Sequence, residues 1–227
     1  MKHIVVLTGA GISAESGIKT FRDAGGMWEE YDIMDVASID GWFKNPALVL
    51  DFYNKRRADL EHAQPNKAHL LLAQLEQHAK VSIITQNVDN LHERAGSSSV
   101  LHLHGELTKV RSTANDFDVQ DIGYKPIHIG DVCSQGYQLR PHIVWFGEPV
   151  PLIQDAAKIT SKADVLIIIG TSMQVYPAAG LLHYAPASIP IYFIDPNPAI
   201  ESTKQITVIA EQASSGMQKV FDELLQQ

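Results

Sequence analysis

Five short stretches hold residues whose types and spacing could do chemistry. Gly9-Ala10-Gly11-Ile12-Ser13-Ala14 matches Gly-x-Gly-x-x-Gly/Ala. Glycines so spaced let the backbone turn tightly and approach a pyrophosphate, and the helix that follows presents free N–H groups to it. A strand–helix turn with no ligand has the same pattern. Thr85-Gln86-Asn87-Val88-Asp89-Asn90 groups amide and acid side chains that can read a ribose and a carboxamide. Equally, Asn87 or Asp89 could cap a helix over Asn90 to Arg94. Leu101 to Glu106 carries His102 and His104, which face the same side if the segment is a strand. His104 precedes Gly105, where the chain can come close to a substrate, and is the better candidate base. A zinc pair of the two histidines lacks an evident third ligand. Gly170-Thr171-Ser172 offers small hydroxyls and N–H groups, and Asp195-Pro196-Asn197 is a further polar turn.

Each stretch follows an apolar run that must position it. Ile4–Leu7, Val81–Thr85, Val165–Ile169 and Ile191–Ile194 are short, continuous and rich in β-branched residues, with weaker runs at Val100–Leu103 and Ile206–Ile209. Such runs read as strands buried on both faces. Helical patterns lie between them at Asn66–His78 (after Pro65), Pro149–Ser161, Ala178–Tyr184 and Ala213–Leu225. The alternation predicts an α/β fold, a Rossmann-like doubly wound parallel sheet. In that architecture the carboxyl ends of the strands face the ligand crevice, so five polar strand ends converge on one site.

Two segments break the rhythm. Lys19–Gln64 has no convincing strand; it reads as a polar loop and then a helix from Pro46 to about His62. Thr108–Arg140 is polar with weak periodicity. Both are expected to leave the sheet and form a smaller lobe. One catalytic domain results, with a large lobe of about 1–18, 66–105 and 141–227 and a small lobe of about 19–65 and 106–140. A dehydrogenase would place a ribose-binding acid about 20 residues after the glycine turn, on a second strand. Glu29 and Glu30 have that spacing, but Ile18–Trp28 reads as a loop able to close over a cofactor.

Composition narrows the classes. The formal net charge of the 227 residues is −8, which disfavours phosphate-backbone binding and hence nucleic acid. The single cysteine, Cys133, excludes an internal disulfide and a Cys-rich zinc site, and fits a reducing compartment. No run approaches the ~20 residues that cross a bilayer. The expectation is a cytoplasmic monomer that does not engage membranes.

The motifs taken together resemble the sirtuins, NAD-dependent protein-lysine deacylases. GAGISAESGIKTFR (9–22), TQNVDNLHERAG (85–96), LHGEL (103–107), PHIVWFGE (141–148) and GTSMQVYPAAGL (170–181) follow the family's order over nearly the whole chain. The resemblance implies a cleft between two lobes that binds NAD and acyl-lysine. By motif, Gly9, Ala10, Gly11 and Ser13 would bind phosphates and ribose, with Phe21 and Arg22 on the cofactor loop. Gln86 would touch the nicotinamide ribose, and Asn87 and Asp89 would serve the nicotinamide pocket, Asn87 with a catalytic part. His104 would be the general base. Gly170, Thr171, Ser172, Asp195, Pro196, Asn197 and Ala213 would hold the adenosine side. Val144, Phe146, Gly147, Glu148 and Val175 would line the acyl-lysine channel, where a substrate peptide would add as a strand. The implied products are lysine, nicotinamide and O-acyl-ADP-ribose.

The chain departs from that family where two Cys-x-x-Cys pairs should stand. Ser112–Asn115 replaces the first pair, and near the second only Cys133 remains. Structural zinc needs four ligands, so a zinc-free module is expected. Tyr53 and Arg56 lie three apart on the predicted 46–62 helix and share a face. That spacing fits a solvated basic face; it also resembles the desuccinylase and demalonylase branch, in which the pair recognises an acidic acyl group. Succinyl-, malonyl- and acetyl-lysine are the expected substrates. The other readings are an NAD-dependent dehydrogenase and a non-catalytic NAD or ADP-ribose binder; the strand-poor 19–64 segment opposes the first, and intact His104 and Asn87 oppose the second.

Overall fold

A computed structural model of the chain describes residues 1–19, 31–171 and 176–226. In chain order its elements are β1 (His3–Thr8), α1 (Gly11–Ala14), α2 (Ile33–Val36), α3 (Ile39–Lys44), α4 (Pro46–His62), α5 (Lys67–Leu75), β2 (Lys80–Thr85), α6 (Leu91–Ala95), β3 (Val100–His102), β4 (Gly105–Ser112), β5 (Val119–Asp121), β6 (Leu139–Ile143), α7 (Ile153–Thr160), β7 (Val165–Ile169), β8 (Ile191–Ile194), β9 (Ile206–Ile209) and α8 (Ala213–Leu225). A 3₁₀ helix spans Ala178–Tyr184.

The six apolar runs form one parallel sheet in the order β3-β2-β1-β7-β8-β9. All residues of β1 and β7 are buried, as continuous apolar runs require. One face packs Ile4, Val6, Ile83 and Ile167 against Leu72 and Leu75 of α5 and Met217 and Phe221 of α8. The other packs Val5, Leu7, Leu166 and Ile168 against Ala156 of α7 and Leu181. The register aligns the strand ends. Thr8 pairs with Thr85 and Ile169, Thr85 with His102, Ile169 with Ile194, and Ile194 with Ile209. The polar stretches leave the sheet along that line. The order reverses at β1, so the crevice opens between the loops after β1 and β7.

The small lobe has its own core, in which Trp42, Val49, Phe52 and Tyr53 meet Val110, Ile127, Leu139 and Trp145. Arg57 is fully buried; its Nε donates to the Leu107 carbonyl (2.8 Å) and its Nη1 to Asn54 Oδ1 (2.6 Å). Burial pushes its pKa down to about 10. The same Asn54 accepts from the Ile127 N–H and donates to the Ile127 carbonyl, fastening α4 to the loop beyond β5.

Three expectations are corrected. The 108–140 segment contains strands: β4, β5 and β6 form an antiparallel sheet in the order β5-β4-β6. Its alternation is hidden because β5 is exposed throughout and β4 carries a register shift between Gly105 and Val110. The helix expected from Pro149 begins only at Ile153, and residues 178–184 adopt the tighter 3₁₀ form. Among the described residues, no helix is long and apolar enough to cross a membrane.

Candidate active site

The glycine turn and the loop after β7 meet backbone to backbone. A Cβ on Gly9 would lie 2.7 Å from the Gly170 carbonyl oxygen, and one on Gly11 would lie 2.6 Å from Gly170 Cα. Gly170 has φ +62°, a left-handed conformation that favours glycine, and a Cβ there would lie 2.3 Å from the Ile12 nitrogen. These glycines thus let two strand-end loops interlock. This alters the expectation that the next helix offers several free N–H groups. The N–H groups of Gly9, Gly11, Ile12 and Ser13 donate to Ile169, Gly170, Gly9 and Ala10 carbonyls. The Ala10 N–H has no acceptor among the described residues.

Beside the turn, the loop after β2 is tied down on both sides. The Asn87 amide donates to the Gly9 carbonyl (3.1 Å) and to Ser13 Oγ (3.2 Å). Ser13 Oγ donates to Asp89 Oδ2 (3.0 Å), while Asp89 Oδ1 accepts the Leu91 N–H (3.1 Å). Asp89 therefore serves the start of α6 and the glycine turn together. Burial raises its pKa despite those donors. Gln86 Nε2 donates to Thr171 Oγ1 (3.0 Å), which links the loops after β2 and β7.

The two histidines hold consecutive carbonyls of that loop, and their pKa values move in opposite directions. His104 Nδ1 donates to the Gln86 carbonyl (3.0 Å). A carbonyl can only accept, so the Nδ1 proton is fixed and Nε2 is the basic nitrogen. Burial lowers the His104 pKa and keeps the ring neutral. His102 Nδ1 donates to the Asn87 carbonyl (3.0 Å) and its Nε2 lies 2.8 Å from Glu93 Oε1. Burial opposes its charge, but the Glu93 bond prevails and raises the His102 pKa. His102 thus ties the Asn87 carbonyl to Glu93 and pins the loop. Glu93, His102 and Glu106 are the only described trio spaced like metal ligands. Their carboxylates are already engaged: His102 bonds Glu93, and Lys109 pairs with Glu106.

The Val144 N–H donates to the His104 carbonyl (2.9 Å), so the exit of β6 runs beside His104. Phe146 is half exposed, but its backbone is committed. Its N–H donates to Ala37 (2.9 Å) and its carbonyl accepts from Ile39 (3.1 Å). Gly147 has φ +91°, and a Cβ there would lie 2.9 Å from Ile39 Cγ2. Glu148 is bound inward: its carboxylate takes Arg140 Nη1 (2.7 Å) and Nη2 (3.0 Å), Arg111 Nη2 (3.1 Å) and the Trp145 N–H (2.8 Å). Burial would raise its pKa, but these donors lower it. Its carboxylate is therefore committed to Arg140, Arg111 and the Trp145 N–H, where the resemblance implies that it lines an acyl-lysine channel.

Tyr53 is 1 % exposed and its hydroxyl accepts from Trp145 Nε1 (2.9 Å). The half-buried Arg56 guanidinium sits 5.7 Å from the Phe52 ring centre and 5.9 Å from that of Tyr53. Arg56 has neither a hydrogen bond nor an ion pair with any described residue, and burial lowers its pKa. On the far side, Asp195 Oδ1 accepts the Asn197 N–H (2.8 Å), Pro196 and Asn197 are exposed, and the buried Ala213 opens α8. Phe21, Arg22, Glu29, Glu30, Ser172, Val175 and most of the expected cofactor loop lie outside the described residues. Sequence reasoning weighed His102 only as half of a zinc pair and did not single out Arg140 or Trp145. For Trp145 a signal existed, because a buried indole N–H must find an acceptor.

Fold and site define a class: a two-lobed α/β enzyme whose switch-point loops face a neutral histidine. The chain belongs to the Sir2 family, whose model matches residues 9–177, and with it to the NAD-dependent enzymes. It is 53% identical over 226 residues to a Bacteroides thetaiotaomicron protein named NAD-dependent protein deacylase, with 97% of each chain covered. A Helicobacter pylori protein of the same name is 55% identical over 227 residues, covering 100% of this chain and 99% of its own. Among solved structures, a Sir2 homolog–NAD complex superposes with TM-score 0.89 at 38% identity, covering 99% of this chain and 90% of that one. A Sir2 protein with a deacetylated p53 peptide and 3′-O-acetyl-ADP-ribose gives TM-score 0.77 at 29% identity, covering 97% and 92%.

Proposed function

We propose that the chain is an NAD-dependent protein-lysine deacylase that removes succinyl and malonyl groups as well as acetyl. The observation that carries the acyl preference is Arg56, a half-buried cation beside Tyr53 with no carboxylate partner among the described residues. A buried guanidinium left unpaired is costly, and an acidic acyl group would supply the missing anion through charge-assisted hydrogen bonds.

The residues present fit NAD. The interlocked glycine loops keep the Ala10 N–H free, and Gln86 and Thr171 span the crevice. Bound NAD supplies the electrophilic ribose carbon to which the acyl oxygen adds as nicotinamide leaves. Asn87, anchored on Gly9 and Ser13, and Asp89 define the pocket wall at the loop after β2. His104 Nε2 accepts the proton of a ribose hydroxyl and frees that oxygen for the acyl carbon, while the Nδ1–Gln86 bond holds the ring in place. The acyl oxygen stays on the ribose carbon, so one water must add as the lysine amine leaves; lysine, nicotinamide and O-acyl-ADP-ribose result.

The small lobe is read as zinc-free. The donors present do not fit a tetrahedral site: the chain has one cysteine, and its buried Sγ donates to Ser112 Oγ (3.4 Å). A monomeric state and a cytoplasmic location belong to the same reading.

The test offers acetyl-, succinyl- and malonyl-lysine peptides with and without NAD, read by mass spectrometry. All three should lose their acyl groups only with NAD. An Arg56→Met variant should lose about ten-fold or more in desuccinylation, the scale of hydrogen bonds to a charged group, with deacetylation nearly unchanged. Equal losses on both peptides would remove the acyl assignment and leave deacylation itself standing.

A further inference from the structure

The inference concerns Trp145, and it rests on the reading that Tyr53 and Arg56 face an acidic acyl group. An indole N–H can only donate, so the 2.9 Å bond makes the Tyr53 oxygen the acceptor. The hydroxyl hydrogen then has no acceptor among the described residues. Arg56 likewise offers donors only. The pair therefore has a hydroxyl hydrogen and a guanidinium to give to an anion, with one Tyr53 lone pair already taken by the indole. A carboxylate suits that arrangement; a neutral acetyl methyl gains nothing from it.

The indole is held rigidly for this purpose. Arg140 stacks its guanidinium 3.5 Å from the Trp145 ring centre. Arg140 is in turn clamped by both oxygens of Glu148, which also accepts the Trp145 backbone N–H (2.8 Å). The Trp42 ring packs 5.5 Å away, and the Tyr53 ring lies 6.1 Å from that of Trp145. A cation over the π face draws electron density from the indole and strengthens its N–H as a donor.

We propose that Trp145 is a positioning residue for substrate choice: its indole N–H, locked by the Arg140–Glu148 pair, fixes the Tyr53 hydroxyl as a donor and so favours acyl groups that end in a carboxylate. The effect is indirect, through Tyr53, and should appear in the KM for acidic acyl peptides.

The experiment compares Trp145→Phe with the parent on matched succinyl- and acetyl-lysine peptides. The ring contact is largely kept and the N–H is lost. The succinyl kcat/KM should fall about ten-fold, mostly as a higher KM, while the acetyl value stays within about two-fold. A Tyr53→Phe variant should show the same selectivity loss, and the double variant should lose no more than Tyr53→Phe alone. If Trp145→Phe fails to fold, benzothienylalanine at position 145 keeps the shape and replaces N–H by sulfur. A parent enzyme inactive on succinyl- and malonyl-lysine would end the acyl reading and this inference together. A parent active on succinyl-lysine, with both peptides affected alike or neither affected, would overturn the role of Trp145 alone.

Discussion

With its Nδ1 proton on the Gln86 carbonyl, His104 has one nitrogen left to act, and burial keeps that nitrogen unprotonated. His104→Ala should therefore bind NAD within about two-fold of the parent, while turnover falls roughly 10²- to 10⁴-fold, the range for a general base. Titration calorimetry and single-turnover assays measure the two quantities. The acid limb of the rate should lie below the ordinary histidine value of about 6.5, since the lowered pKa leaves His104 neutral until more acid pH. A limb above that value would assign the titration to another group. His104 was legible from its place beside Gly105 at a strand exit. Its neighbour His102 was not, because its charge depends on Glu93 from α6, which only the turn of the chain brings within 2.8 Å. Glu148 was placed in the channel by motif, but Arg140 on β6 and Arg111, 37 residues away on β4, claim its carboxylate.

At the scale of elements, the join between β1, α5 and α6 carries an acid sensitivity. His69 and His92 are fully buried and stack at 4.9 Å; His92 bonds Thr8 at the end of β1, and His69 takes part in the Asn66 cap of α5. Burial depresses the His69 pKa to about 4 and that of His92 well below normal. The unfolded chain thus takes up protons near 6.5 that the folded chain refuses, so this stability is complete above about pH 6.5 and drains away toward pH 4. For His69 alone the loss is about 3 kcal/mol over that window. His102 works the other way: its raised pKa adds stability below 6.5 that is lost as pH rises through the folded value. Urea unfolding at pH 7 and pH 5 should give lower stability at pH 5, and His69→Gln should flatten the difference. The loop contact after β7 can be tested separately. Gly170→Ala combines φ +62° with a Cβ 2.3 Å from the Ile12 nitrogen, and should cost roughly 1–3 kcal/mol and weaken NAD binding. A melting temperature and NAD affinity equal to the parent's would show that the loops part without cost. The parallel strands were readable because burial on both faces writes itself as unbroken apolar runs. The β4–β6 sheet was not, since β5 is exposed and the β4 pairing shifts register.

Across the molecule, two cores share one chain: the sheet with its covering helices, and the α4–β4–β6 cluster around Trp42, Tyr53 and Trp145. The second core contains the region where the resembling family places zinc. Here Cys133 and Ile127 pack beside Val110 and Leu139, and Gln138 stitches the loop by donating to the His128, Asp131 and Leu139 carbonyls. Chelation by EDTA should therefore leave the melting temperature and deacylation unchanged, and elemental analysis should find far less than one zinc per chain. About one zinc per chain would refute the zinc-free reading. The second core also takes in Leu91, Ile143 and Trp145, which the sequence segments assign to the large lobe, because contacts across the turn after β6 and from α6 are not written in local composition.

The six strand termini that stop on a common line have a consequence for how such an enzyme diversifies. Tyr53, Arg56 and Trp145 belong to or flank the second core, whereas the glycine turn, Asn87 and His104 stand on the rim of the first. On the acyl reading proposed above, appetite for one modification or another can then drift by substitutions in α4 and after β6, while the rim proposed to handle the dinucleotide stays untouched.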